Sequence, residues 1–343
     1  MIKKIEILLR WLSENKISYL KNFELKKESW LEAGGIIKTF IRPSDEESCQ
    51  NLIKFFKKNQ IDFYILGNIS NVIIRDGLIE TPIINLYKCN KIFKKELENG
   101  LELKVNGGVS MPRLSKLLIN EGITGNEGLV GIPGTVGGGI YMNASSYNSC
   151  ISDYLTSVEF FEIDGNKKTF KKHELNFGFR KSFFQNKKYL IFNACFFYPK
   201  TIFKDIEFTK KKLKVIVEHR SSFQEKILPN LGSIFVTYNL YKDLRKKNFI
   251  FYFYYVVYKI FSIIFHNFFR NYLLKFNKIV VRIYFKLLKL NLSSNFSLSD
   301  RTINCLINRG SKSGNEAIKF VKEMEIAVNK HARLENIILD KIK

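Results

Sequence analysis

Five of the thirteen residues from Gly131 to Asn143 are glycine, in a chain of 343 residues that has only 20 glycines. The string reads Gly131-Ile132-Pro133-Gly134-Thr135-Val136-Gly137-Gly138-Gly139-Ile140-Tyr141-Met142-Asn143. Backbone without Cβ atoms lets main-chain N–H groups close around an anion, so such a run suits a phosphate or pyrophosphate. It is not a Rossmann fingerprint, since no GxGxxG follows a strand, nor a P-loop, since no Gly-Lys-Ser/Thr closes it. On this reading, a bulky side chain at Gly137 would stand where the pyrophosphate sits.

A second turn lies about sixty residues upstream. Asp62 to Gly67 is a short apolar strand, then come Asn68-Ile69-Ser70-Asn71 and a second apolar run, Val72 to Ile74. A strand, a polar turn and a strand would make a second phosphate cradle. Ile69 stands out in it, because a β-branched residue is costly wherever such a turn needs positive φ.

The rest of the pattern is mixed α+β. Ile37–Ile41 reads as a strand, and Ser44 with Glu47 as a capping box opening a helix with Leu52, Ile53, Phe55 and Phe56 on its apolar face. Leu101–Val105 alternates as a strand, and Pro112 stands near the start of a helix carrying Leu114, Leu117 and Leu118. Asp164-Gly165 between two strand-like runs predicts a type I′ hairpin. Ser313 and Glu316 form another capping box, followed by the helical stripe Ala317, Phe320, Val321, Met324 and Val328.

The net charge of +24 raises nucleic acid or an anionic membrane as partners. The surplus is concentrated, with ten Lys/Arg and no Asp or Glu in residues 244–299, and no nucleic-acid motif accompanies it. A basic surface equally suits small anionic ligands, and nucleic acid is not expected. Within Phe249–Phe269, eleven of 21 residues are aromatic, close to a membrane-span length. Lys259, His266 and Asn267 interrupt it, so an inserted element is favoured, with membrane association left open. The five cysteines show no CxxC pairing and the four histidines no ligand spacing, which points to no metal and a reducing, cytoplasmic setting.

With Glu127 before it and Asn143-Ala144-Ser145-Ser146-Tyr147 after it, the glycine string resembles the flavin-binding signature of the UDP-N-acetylenolpyruvoylglucosamine reductases. Gly67, Ser70 and Asn71 match that family's Leu-Gly-x-Gly-Ser-Asn, with Ile69 in place of the second glycine. Ser29-Trp30-Leu31-Glu32-Ala33-Gly34-Gly35 stands where the family has Thr-Thr-Phe-x-x-Gly-Gly. Phe177-Gly178-Phe179-Arg180-Lys181-Ser182 resembles Phe-Gly-Tyr-Arg-x-Ser, with Phe179 lacking the hydroxyl. Arg220 and Gln224 match Arg-x-x-x-Gln-Pro, and Pro229 to Phe235 resembles Pro-x-Ala-Gly-Ser-x-Phe. The likeness is strong over residues 29–235 and faint over 236–343.

The resemblance implies an α+β flavoprotein of the vanillyl-alcohol oxidase type. It implies an FAD-binding subdomain over 1–66, a second over 67–205, and an α+β substrate-binding domain over 206–343 with an aromatic, basic insertion around 240–290. FAD would lie on Gly67, Ser70, Asn71, Gly131, Pro133, Gly134, Thr135, Gly137, Gly138 and Asn143. NADPH and UDP-N-acetylglucosamine enolpyruvate would be the other partners, and the oligomeric state is left open. Arg180 maps onto the family's catalytic arginine and Ser233 onto its proton donor. Asp340 falls at the catalytic glutamate if one residue is inserted in Ile337-Ile338-Leu339-Asp340. The implied reaction is reduction of the enolpyruvyl sugar to UDP-N-acetylmuramate. A flavin-binding relic with little turnover and a basic membrane-associated protein on the same scaffold remain alternatives.

Overall fold

The computed structural model describes residues 2–237, 295–299, 301–302, 304–328 and 332–342, with 252–253, 256–257 and 260 besides. Apart from those five positions, the Phe249–Phe269 stretch lies outside the described residues. Among the described residues no helix is long and apolar enough to cross a membrane.

A first sheet runs in the order Ser18–Glu24, Ile36–Arg42, Ile83–Asn85, Tyr64–Leu66, with Leu78–Ile79 also paired to Ile36–Arg42. Helices α1 (Ile2–Glu14) and α2 (Glu46–Lys58) share a core with it, built on Leu8, Leu12, Leu52, Phe56 and Ile84. Cys49, Leu52, Ile53 and Phe56 of α2 are buried, and each large apolar side chain contributes about 1.5–3 kcal/mol by leaving water. The cap of α2 is shifted by one residue from the predicted Ser44–Glu47 box. Asp45 accepts from the Ser48 amide at 2.8 Å, and the Ser48 hydroxyl accepts from the Asp45 amide at 3.2 Å. A carboxylate is favoured at this end of the helix by the macrodipole.

A second, fully antiparallel sheet has the order Lys167–Lys171, Leu155–Phe161, Leu190–Pro199, Gly100–Asn106, Ile92–Leu97. Helices α3 (Met111–Asn120) and α4 (Val136–Met142) bury Leu114, Leu118, Val136 and Ile140 in its core. Ser110 caps α3, so Pro112 falls in the first turn, where its missing N–H costs nothing. The Asp164-Gly165 hairpin is wider than predicted. Phe161 pairs with Lys167, and only Gly165 has positive φ (+83°), with Asp164 accepting from the Asn166 amide at 2.9 Å.

After helix α5 (Ile206–Phe223), a three-stranded sheet of Asn230–Ser233, Cys305–Asn308 and Phe296–Leu298 packs with helix α6 (Gly314–Ala327). Ser313 caps α6, accepting from the Glu316 amide at 3.1 Å, but the predicted box is half made, since the Ser313 amide donates to the Ser311 hydroxyl at 3.1 Å; Ala317, Phe320, Val321 and Met324 are buried. The chain then returns: Ile337–Leu339 pairs in parallel with Val72–Ile74, directly after the Gly67–Asn71 turn.

Candidate active site

Arg180 sits in a tight turn closed by reciprocal backbone bonds between Gly178 and Lys181, both at 3.0 Å. Its φ of +52° is unusual for a side chain of this size, and such strain persists only where surroundings impose it. Here the Arg180 carbonyl accepts from Arg333 Nη2 at 2.6 Å and Gln185 Nε2 at 3.0 Å, while Asn143 Nδ2 donates to the Gly178 carbonyl at 2.8 Å. The guanidinium is held as firmly. Nη1 and Nη2 donate to the Ser145 hydroxyl and carbonyl at 2.8 and 3.2 Å, and Nε donates to Glu335 Oε1 at 2.6 Å.

Glu335 arrives from the other end of the chain. Its amide donates to the Ile234 carbonyl at 2.7 Å, and Asn336 Nδ2 donates to the Ser233 carbonyl at 3.1 Å. Asn71 completes the joint: its Nδ2 donates to the Glu335 carbonyl at 3.0 Å and its Oδ1 accepts from Asn336 Nδ2 at 2.8 Å. Arg180, Glu335 and Ser233 thus line one cavity. Burial pushes the Glu335 carboxyl above the ordinary carboxylate range, against the opposing pull of Arg180 and Arg333.

The cavity encloses about 1610 Å3, beyond the roughly 300–1,000 Å3 of an ordinary small-molecule site. Gly67, Ser70, Asn71, Gly131, Pro133, Gly134, Thr135, Gly137 and Gly138 all line it. The two strings interlock: a Cβ on Gly67 would lie 2.6 Å from Thr135 Oγ1. Gly134 and Gly138 carry the openness, since an added Cβ would meet nothing closer than 3.7 and 3.4 Å. Gly137 is different. Its Cβ would lie 3.2 Å from the Gly107 carbonyl oxygen, so close backbone packing also favours glycine there. The donors and cleared backbone fit a phosphate-bearing cofactor.

Two predicted residues stand outside the cavity lining. Asn143 takes left-handed φ (+45°) as the C-cap of α4 and is committed to the Gly178 carbonyl. Asp340 lies one strand step beyond the site, its Oδ2 2.6 Å from Lys322 Nζ, and that ammonium holds its carboxyl below the usual range. The carboxylate that reaches Arg180 is Glu335, which the sequence reading passed over. Nothing in its sequence neighbours singled it out: Glu335-Asn336 simply precedes the apolar Ile337–Leu339. Ile69 does adopt positive φ (+48°) and is buried, as the missing glycine suggested. Arg220 is also buried against the cavity, with Nη2 donating to the Gly128 carbonyl and Ser146 hydroxyl at 2.8 and 2.7 Å.

Residues 37–170 match the FAD binding domain family. Over 211 residues the chain is 33% identical to UDP-N-acetylenolpyruvoylglucosamine reductase 2 of Bacillus anthracis, covering 62% of this chain and 67% of that one. Over 233 residues it is 30% identical to the UDP-N-acetylenolpyruvoylglucosamine reductase of Clostridium novyi (strain NT), covering 68% and 72%. The chain belongs to the UDP-N-acetylenolpyruvoylglucosamine reductase family. The fold agrees: the crystal structure of the Thermus caldophilus reductase superposes with a TM-score of 0.65 at 19% identity, covering 94% of this chain and 98% of that one. The mixed α+β class expected from the sequence therefore holds.

Proposed function

We propose that the protein reduces UDP-N-acetylglucosamine enolpyruvate to UDP-N-acetylmuramate, with bound FAD and with NADPH as reductant, in peptidoglycan precursor synthesis in the cytoplasm. The observation that supports this most is the meeting of Arg180, Glu335 and Ser233 on the cavity lined by both glycine strings. The backbone of Gly67–Asn71 and Gly131–Gly138 would hold FAD. When bound, FAD supplies the hydride for the enolpyruvyl methylene carbon, having taken it from NADPH.

The chain's own residues supply orientation and charge. Arg180 offers a planar, permanently charged fork for the substrate carboxylate, and Ser145 fixes the direction of that fork. Ser233 delivers the proton to the carbon beside the one that receives hydride, a role a serine fills only when held at the reacting atom. Glu335, rather than Asp340, is the carboxylate of this centre. Lys27, Lys187, Lys188 and Lys226 at the same cavity favour ligands rich in phosphate.

The test is product identification. Purified yellow protein, given NADPH and the enolpyruvyl sugar, should yield UDP-N-acetylmuramate with consumption of one NADPH per sugar. A flavin-loaded protein that forms none would support the relic instead.

A further inference from the structure

The Arg180–Glu335 pair balances one cation with one anion in a pocket where the two side chains are only 17% and 16% exposed. Arg180 has committed one guanidinium nitrogen to Glu335 and the other two to Ser145. A ligand carboxylate arriving here must either displace Glu335 or share the guanidinium with it. Either way two carboxylates then face one buried cation, and like charges at such separation do not both stay ionised. The charged groups facing Glu335 are Arg180 from its turn and Arg333 from the preceding strand. Arg333 is exposed to water, which screens its charge, and its Nη2 is bonded to the Phe179 and Arg180 carbonyls. The partners of its backbone, Asn71 Nδ2 at the carbonyl and the Ile234 carbonyl at the amide, are neutral.

We infer that binding of a carboxylate-bearing UDP-sugar at Arg180 draws one proton from solvent onto Glu335, so that ligand occupancy and protonation of this buried residue rise and fall together. The inference rests on the proposed substrate class. Glu335 is predisposed to it, because burial already lifts its carboxyl above the ordinary range. Binding that takes up a proton weakens as pH rises, by up to about tenfold per pH unit. A UDP-sugar lacking the carboxylate has no such slope.

Calorimetric titration of the oxidised, FAD-loaded protein in buffers of different ionisation enthalpy counts the protons. UDP-N-acetylmuramate supplies the carboxylate, and UDP-N-acetylglucosamine lacks it. The expected result is uptake of about half a proton or more per bound UDP-N-acetylmuramate near neutral pH, and none for UDP-N-acetylglucosamine. In Glu335→Gln, checked for retained flavin, uptake should vanish while binding persists. Binding of UDP-N-acetylmuramate without uptake, or equal uptake in Glu335→Gln, overturns the coupling and leaves the substrate assignment standing. Failure of both sugars to bind overturns the substrate assignment and the coupling with it.

Discussion

The guanidinium Nε of Arg180 lies 2.6 Å from Oε1 of Glu335, a residue 155 positions further along the chain. That contact closes the site. It joins a strained turn to the segment leading into Ile337–Leu339, the strand laid against Val72–Ile74. Glu335→Gln should lower turnover by roughly two to four orders of magnitude, the range for a group acting directly at the reacting centre. Asp340→Asn, on a surface paired with Lys322, should change it by no more than about twofold. Steady-state rates of the two variants decide between the carboxylates.

Gly138→Val should yield a folded protein without yellow colour, because its side chain would project into the cavity with no nearer neighbour than Thr135 Oγ1. Gly137→Val acts differently. Its Cβ meets the Gly107 carbonyl, so stability should fall by about 1–3 kcal/mol through overpacking. Flavin absorbance per protein, read beside urea unfolding, separates the two effects.

These glycines also show what the sequence could reveal. The cavity's two glycine strings, Arg180 and Ser233 were legible because their chemistry is local: contiguous bare backbone, or a residue framed by a motif. Glu335 was not, since it acts through a partner 155 positions away and its own neighbours carry no special pattern. Asn143 shows a related limit of a motif. It caps α4 in the left-handed region and gives its amide to the Gly178 carbonyl, a local commitment that the motif does not announce. The cap at Asp45 and the wide hairpin after Phe161 reflect competition between near-equal local choices, which propensity alone does not resolve.

Ile69 combines two opposing costs. Positive φ penalises it by about 1–2 kcal/mol, while burial of such a side chain contributes about 2–5 kcal/mol. Ile69→Gly should therefore be destabilised by a net amount of up to about 4 kcal/mol in urea unfolding, despite restoring the family's residue. A variant more stable than the parent would mean that strain outweighs packing here.

Glu159 provides a pH handle on the second sheet. Burial alone would raise its carboxyl, but Lys104 Nζ at 2.7 Å, Asn193 Nδ2 at 2.8 Å and Lys167 Nζ at 3.0 Å hold it down to about 2. A depressed carboxyl stabilises the fold above its unfolded value and loses that contribution as pH falls towards the folded one. Glu159→Gln should thus cost about 1–2 kcal/mol at neutral pH, after allowance for screening. The difference from the parent should shrink as pH is lowered from about 5 towards 2.

Under the proposed function, Arg180 and Ser233 act on the enolpyruvyl sugar and not on the uptake of reducing equivalents. Anaerobic stopped-flow absorbance of the bound flavin separates the halves. In Ser233→Ala, bleaching by NADPH should proceed at the parent rate, while recovery of colour on adding UDP-N-acetylglucosamine enolpyruvate should slow by about two to four orders of magnitude. Recovery at the parent rate would contradict the account and leave the proton to come from elsewhere.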